Sequence, residues 1–147
     1  MPANKDYKDL FKILNEEKVE YLIVGAHAVI YYAEPRYTKD LDIWVNPSQE
    51  NSKRVWKALS KFGAPLTEIT LKDFQDSELI YQIGIEPNRI DILMGVAGLD
   101  FEVAYSNKSL STYDGEPINI LNKKDLIKTK KTTGRAQDII DIENLEK

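Results

Sequence analysis

Asp40 and Asp42 sit one residue apart inside "KDLDIWV", a run otherwise built from Leu, Ile, Trp and Val. Such a run predicts a β-strand, and side chains two apart on a strand leave from the same face. The two carboxylates therefore project together, while Leu41, Ile43 and Val45 project to the other face. No basic residue lies between the pair. Ionised carboxylates side by side repel each other, and burying even one without a partner is expensive. A divalent cation is the simplest partner: magnesium favours oxygen ligands and is commonly held by one or two carboxylates together with substrate phosphates. The plain alternative is an edge strand whose aspartates face water and deter aggregation.

Two further residues favour the metal. Gly25 directly follows the apolar run "YLIV" and opens a predicted helix. A glycine at such a turn lets backbone approach a ligand closely, and a helix N-terminus offers N–H groups to a phosphate. Asp91, in "RIDIL", is again a lone carboxylate in an apolar strand. If its strand lies beside that of Asp40, three carboxylates converge on one face. Such a set can hold two metals roughly 3.5 to 4 Å apart, clamping the attacking and leaving oxygens of a phosphoryl transfer.

The elements that must position these residues are read from periodicity. Tyr7, Leu10, Phe11 and Leu14 predict an amphipathic helix over 6–18. "YLIV" is a short buried strand, and "AHAVIYYAE" is a helix ended by Pro35. Ser48 caps a helix carrying Val55, Leu59 and Phe62, with Gly63 as its stop. "ELIYQIGI" and "RIDILM" are strands joined through "EPN", and "LDFEVAYSN" is a short helix. "KSLSTYDGEPINIL" predicts a hairpin around Asp114-Gly115. The charged tail 122–147 forms two helices divided by Gly134. The pattern is one mixed α/β (α+β) domain, a mixed twisted sheet with flanking helices. Its core covers about residues 1–105, and the hairpin and helical tail cover about 106–147.

The 147 residues, 42% hydrophobic and 30% charged, suit an ordinary globular domain able to bury its own core. No stretch approaches the roughly 20 apolar residues of a membrane span, and "MPANKDYKDLFKIL" does not have the form of a secretory signal, so a cytoplasmic location is the expectation. The absence of cysteine excludes thiol catalysis and cysteine-ligated zinc, and the single His27 excludes sites built from several imidazoles. A net charge of −4 argues against broad, non-specific nucleic-acid binding.

The order apolar-Gly-small, then Asp-apolar-Asp, then a later strand Asp resembles the nucleotidyltransferase superfamily with the DNA polymerase β-like palm fold. Val24, Gly25 and Ala26 match its first motif, "DLDI" the second, with 13 residues between Ala26 and Asp40, and "IDIL" around Asp91 the third. "EPRYTKDLDIWV" and "DLIKTKKTTGRAQDIIDIENL" are similar to small nucleotidyltransferase-like proteins related to the toxins of AbiE-type toxin-antitoxin pairs. The resemblance implies that Asp40, Asp42 and Asp91 are catalytic and bind two magnesium ions, replaceable by manganese, with Asp91 also helping to deprotonate the attacking hydroxyl. Gly25 and Ala26 would approach a nucleoside triphosphate through their backbone. Ala26 stands where the superfamily usually has Gly or Ser, so a serine hydroxyl contact is not available. Arg36 and Lys130 would contact the nucleotide, with Arg135 the other basic residue matching the family tail. The implied reaction moves a nucleoside monophosphate to a hydroxyl of RNA, protein or a small molecule. A non-catalytic nucleotide-binding module, or a toxin-antitoxin interaction module acting through a cognate partner protein, is the alternative.

Each helper residue also has a plain reading. Arg36 would neutralise the aspartates when no metal is bound, and Lys123, Lys124, Lys128, Lys130, Lys131 and Arg135 would form a solvated helical face. Asp138 and Asp141 would make surface pairs with bases such as Arg135. His27 would be structural, and Tyr31, Tyr32, Tyr37 and Tyr81 would be core residues with hydroxyls reaching water.

Overall fold

A computed structural model of the chain describes residues 4–33, 38 and 40–147. Its order is α1 (Lys5–Glu16), β1 (Tyr21–Val24), α2 (Gly25–Tyr32), β2 (Asp40–Val45), α3 (Gln49–Phe62), a 3₁₀ turn (Leu71–Gln75), β3 (Ile80–Ile83), β4 (Arg89–Leu93), α4 (Phe101–Ser106), β5 (Ser109–Tyr113), β6 (Glu116–Ile120), α5 (Lys123–Thr133) and α6 (Ala136–Glu146). The 3₁₀ turn has no hydrophobic period to announce it. It is closed by a capping box in which the Thr70 and Asp73 side chains each accept from the other's backbone N–H.

The six strands form one mixed sheet in the order β3-β4-β2-β1-β6-β5. β2 pairs antiparallel with β1 and parallel with β4. It is therefore an interior strand, which removes the reading of Asp40 and Asp42 as water-facing residues on a sheet edge. The hairpin of β5 and β6 joins the same sheet, since Ile120 of β6 lies beside Ile23 of β1. Its turn places Asp114 (φ 48°) and Gly115 (φ 88°) in the left-handed region that a tight two-residue hairpin demands.

Helix ends follow their chemistry. Asn4 accepts from the N–H groups of Asp6 and Tyr7 to start α1, and Ser48 accepts from Asn51 N–H to start α3. Gly63 (φ 92°) ends α3 in the left-handed conformation. The buried face of α1 is Tyr7, Leu10, Phe11 and Leu14, the predicted set. Asn51, itself buried, accepts from Glu20 N–H and donates to the carbonyls of Glu20 and Asn46, fixing α3 to the ends of β1 and β2. Among the described residues no helix is long and apolar enough to cross a membrane.

Candidate active site

The register of β2 against β4 decides the geometry. Asp42 lies directly opposite Asp91, and Asp40 opposite Arg89. Residues opposite each other in a sheet share a face, so Asp40, Asp42, Asp91 and Arg89 all project together. One carboxylate oxygen from each of Asp40, Asp42 and Asp91 falls within 4.8 Å of the others. Asp91 is buried, and Asp40 and Asp42 are half-buried.

Arg89 is the residue that sequence reasoning missed. Its Nη2 donates to Asp40 Oδ2 at 3.1 Å, and its Nε donates to Asp91 Oδ1 at 3.1 Å. It thus bridges two of the three carboxylates and fills the neutralising role first ascribed to Arg36, which lies outside the described residues. The signal was present in "RIDIL": Arg89 is two residues before Asp91 on one strand and must share its face.

Gly25 has a role beyond close approach to a ligand. It adopts φ +66°, and a Cβ built there would stand 2.2 Å from Asp42 Oδ2. The missing side chain is the space that Asp42 occupies. Gly25→Ala should therefore displace that carboxylate and strain the backbone, costing about 1–3 kcal/mol of stability. Calorimetric manganese binding should weaken along with the melting temperature; a variant with wild-type values for both would show that Gly25 does not set the position of Asp42.

Charge crowding perturbs all three acids. Burial, then the charges of Asp40 and Asp91, push the Asp42 carboxyl up to about 8. Burial also raises Asp40, but hydrogen bonding with Asp91 and Arg89 outweighs it and holds Asp40 below the ordinary carboxylate range. Asp91 is raised by burial and by its contact with Asp40, against the pull of Arg89. The cluster thus carries more negative charge than one guanidinium offsets, and oxygen donors with this excess charge fit hard divalent cations.

The pH dependence follows from Asp42. Because its pKa is raised, a proton occupies the site below about 8 and must leave when a cation binds. Manganese affinity should climb about tenfold per pH unit below that value and level off above it. In the metal-free protein the stability contributed by protonated Asp42 is complete below the ordinary 3.8 and is lost as pH rises through about 8. Calorimetry at several pH values checks the first trend, and thermal melts with and without manganese check the second.

A cleft of about 380 Å³ opens beside the carboxylates, lined by Gly25, Ala26, Asp40, Asp42, Lys130 and Arg135 among others. Lys130 is not part of a solvated face: it is 6% exposed, and its Nζ lies 3.3 Å from Asp138 Oδ1 and 3.0 Å from Asp141 Oδ2. Asp138 and Asp141 are fully buried, which corrects their reading as surface pairs. Arg135, largely exposed, forms a two-point contact with Asp138 at 2.9 and 3.2 Å, and Thr133 donates to the same carboxylate at 2.6 Å. Despite burial, Arg135 and Thr133 hold the Asp138 carboxyl well below the ordinary range.

Of the remaining candidates, His27 packs edge-on to Tyr7 with ring centroids 5.6 Å apart. Tyr32 hydrogen-bonds Ser109 Oγ and the Leu121 carbonyl, and Tyr81 hydrogen-bonds the Pro65 carbonyl, so these hydroxyls reach protein rather than water. Tyr31 is exposed on α2, and Tyr37 lies outside the described residues.

No family model matches the chain, and no curated protein matches it. Solved structures do. A lincomycin-bound lincosamide antibiotic adenylyltransferase, LnuA, superposes with a TM-score of 0.62 over 98% of this chain and 96% of its own, at 16% identity. A protein from Thermotoga maritima with the provisional name of nucleotidyltransferase gives 0.63 over 93% and 88%, at 15% identity. The chain has the nucleotidyltransferase fold. On that fold, Asp40, Asp42 and Asp91 converge from two adjacent strands, and Gly25 and Lys130 border the same cleft.

Proposed function

We propose that the chain is a magnesium-dependent nucleotidyltransferase related to the AbiE-type proteins, moving a nucleoside monophosphate from a triphosphate to a hydroxyl. The convergence of Asp40, Asp42 and Asp91, with ligand oxygens within 4.8 Å of one another, carries this reading. Asp40 and Asp42 would hold both magnesium ions and Asp91 one of them. Bound there, the ions would neutralise the phosphate oxygens and polarise the reacting phosphorus.

The chain's own residues account for the rest. The N–H groups at the start of α2, with Gly25 and Ala26 on the cleft wall, would bind triphosphate oxygens as helix N-termini do. Arg135, largely exposed, and the buried Lys130 line the same cleft and would contact the triphosphate, and Arg36 is expected to add positive charge. The attacking hydroxyl forms a new P–O bond at the α-phosphorus, the α–β anhydride bond breaks, and pyrophosphate leaves. The hydroxyl proton goes to the Asp91 carboxylate, held in orientation by Arg89 at 3.1 Å. Catalysis on this scheme is positioning and charge neutralisation.

Incubating the protein with each α-labelled triphosphate, magnesium and a cell extract tests the proposal. Label should enter one fraction of the extract, and Asp42→Ala should abolish that transfer. Equal labelling by the variant would overturn the assignment of the site.

A further inference from the structure

Arg89 holds oxygens that a metal would need. Both oxygens of Asp91 accept from it, Oδ1 from Nε at 3.1 Å and Oδ2 from Nη2 at 3.2 Å. The same Nη2 also donates to Asp40 Oδ2 at 3.1 Å. A cation ligated by Asp91 must therefore share an oxygen with the guanidinium, and one held between Asp40 and Asp91 meets a positive charge already there.

Arginine keeps its charge at any ordinary pH, so it can yield only by moving, unlike the proton on Asp42. The surroundings permit a move. The Arg89 side chain is 29% exposed, and its Nη1 lies 3.7 Å from Oε1 of Glu86, a residue on the wall of the cleft that Asp40 and Asp42 also line.

We propose that Arg89 is a built-in competitor of the metal: it neutralises Asp40 and Asp91 while the site holds no cation, and it must release Asp40, turning toward Glu86, for the site to load. The Nε contact with Asp91 stays in place through that turn. This rests on the nucleotidyltransferase reading and adds to it the step that controls access to the metal site.

The charge of Arg89 then acts in two opposite ways. It relieves the mutual repulsion of three crowded carboxylates, which stabilises the metal-free fold, and it repels an incoming ion. Even at the dielectric of water, a unit positive charge about 5 Å from a divalent ion weakens its binding roughly tenfold. A residue that only shaped the site would move stability and metal affinity in the same direction.

Arg89→Gln keeps a polar donor and removes the charge. At one fixed pH, calorimetry should show manganese binding to this variant at least about tenfold more tightly than to wild type, while the metal-free variant melts at a lower temperature. Arg89→Lys, which retains the charge, should bind manganese within about threefold of wild type. If metal-free Arg89→Gln is too unstable for calorimetry, melts across a manganese series give the same comparison: its midpoint should begin to climb at about a tenfold lower concentration than that of wild type. Manganese affinity in Arg89→Gln equal to or weaker than wild type, or an equal gain in Arg89→Lys, would overturn the proposal. Asp42→Ala separates this failure from that of the reading beneath it. Wild-type binding that Asp42→Ala weakens, without a gain in Arg89→Gln, rejects the competition alone, whereas binding indifferent to Asp42, or none in any of these proteins, rejects the metal site itself.

Discussion

Asp91→Asn should fold, bind magnesium-triphosphate with affinity within about tenfold of wild type, and lose at least about a hundredfold in transfer. Asparagine keeps the size of the side chain and one acceptor oxygen, so the 3.1 Å contact from Arg89 Nε survives. It loses the charge needed to take the hydroxyl proton. Asp40 and Asp42 point at the cations from one strand and should dominate metal retention without it. Calorimetry reads the first half of this expectation and α-label incorporation the second. Equal incorporation by variant and wild type would make Asp91 a structural residue and the proposed mechanism wrong.

The second large effect is on the fold itself. Lys130 is the ammonium shared by two fully buried carboxylates, at 3.3 Å from Asp138 and 3.0 Å from Asp141. Lys130→Ala strands that negative charge in the interior, and breaking a buried pair from one side costs about 3–5 kcal/mol. The melting temperature should fall by roughly 10 °C for a chain of this size. Asp138 keeps Arg135 and Thr133, and Asp141 keeps the amide of Gln137 at 2.9 Å, so the helical tail should loosen rather than vanish. Thermal melting checks this directly, and an unchanged midpoint would contradict it. If the destabilised variant still binds triphosphate as wild type does, Lys130 serves the fold and not the nucleotide.

These two variants mark where the sequence was informative and where it was not. The aspartate face follows from the two-residue period of a strand, which needs no tertiary information, and the hairpin, the Ser48 cap and the Gly63 and Gly134 stops are equally local. The pairing of β2 with β4 is non-local, yet once it holds, Asp42 meets Asp91 without further assumption. Gly25 was found for a general reason; its specific one, the space taken by Asp42 Oδ2, exists only in three dimensions. Arg89 is not legible as the counter-charge of Asp40 from sequence, because only the non-local register of β2 with β4 sets the two opposite each other. Lys130, Asp138 and Asp141 were misread because a charged, amphiphilic helix ordinarily turns its charges to water. Here α6 buries two aspartates and leaves Ile139 and Ile140 half exposed, an inversion made tolerable by the facing lysine of α5 together with Thr133, Arg135 and Gln137.

The most direct measurement supplies one triphosphate labelled at the α-phosphorus and, in parallel, the same triphosphate labelled at the γ-phosphorus, each with magnesium, the protein and an acceptor-containing extract. Nucleotidyl transfer through Asp40, Asp42 and Asp91 predicts that the α-label enters the acceptor, that the γ-label leaves as pyrophosphate, and that Asp42→Ala stops both. Entry of the γ-label into the acceptor, or equal transfer by Asp42→Ala, would contradict it.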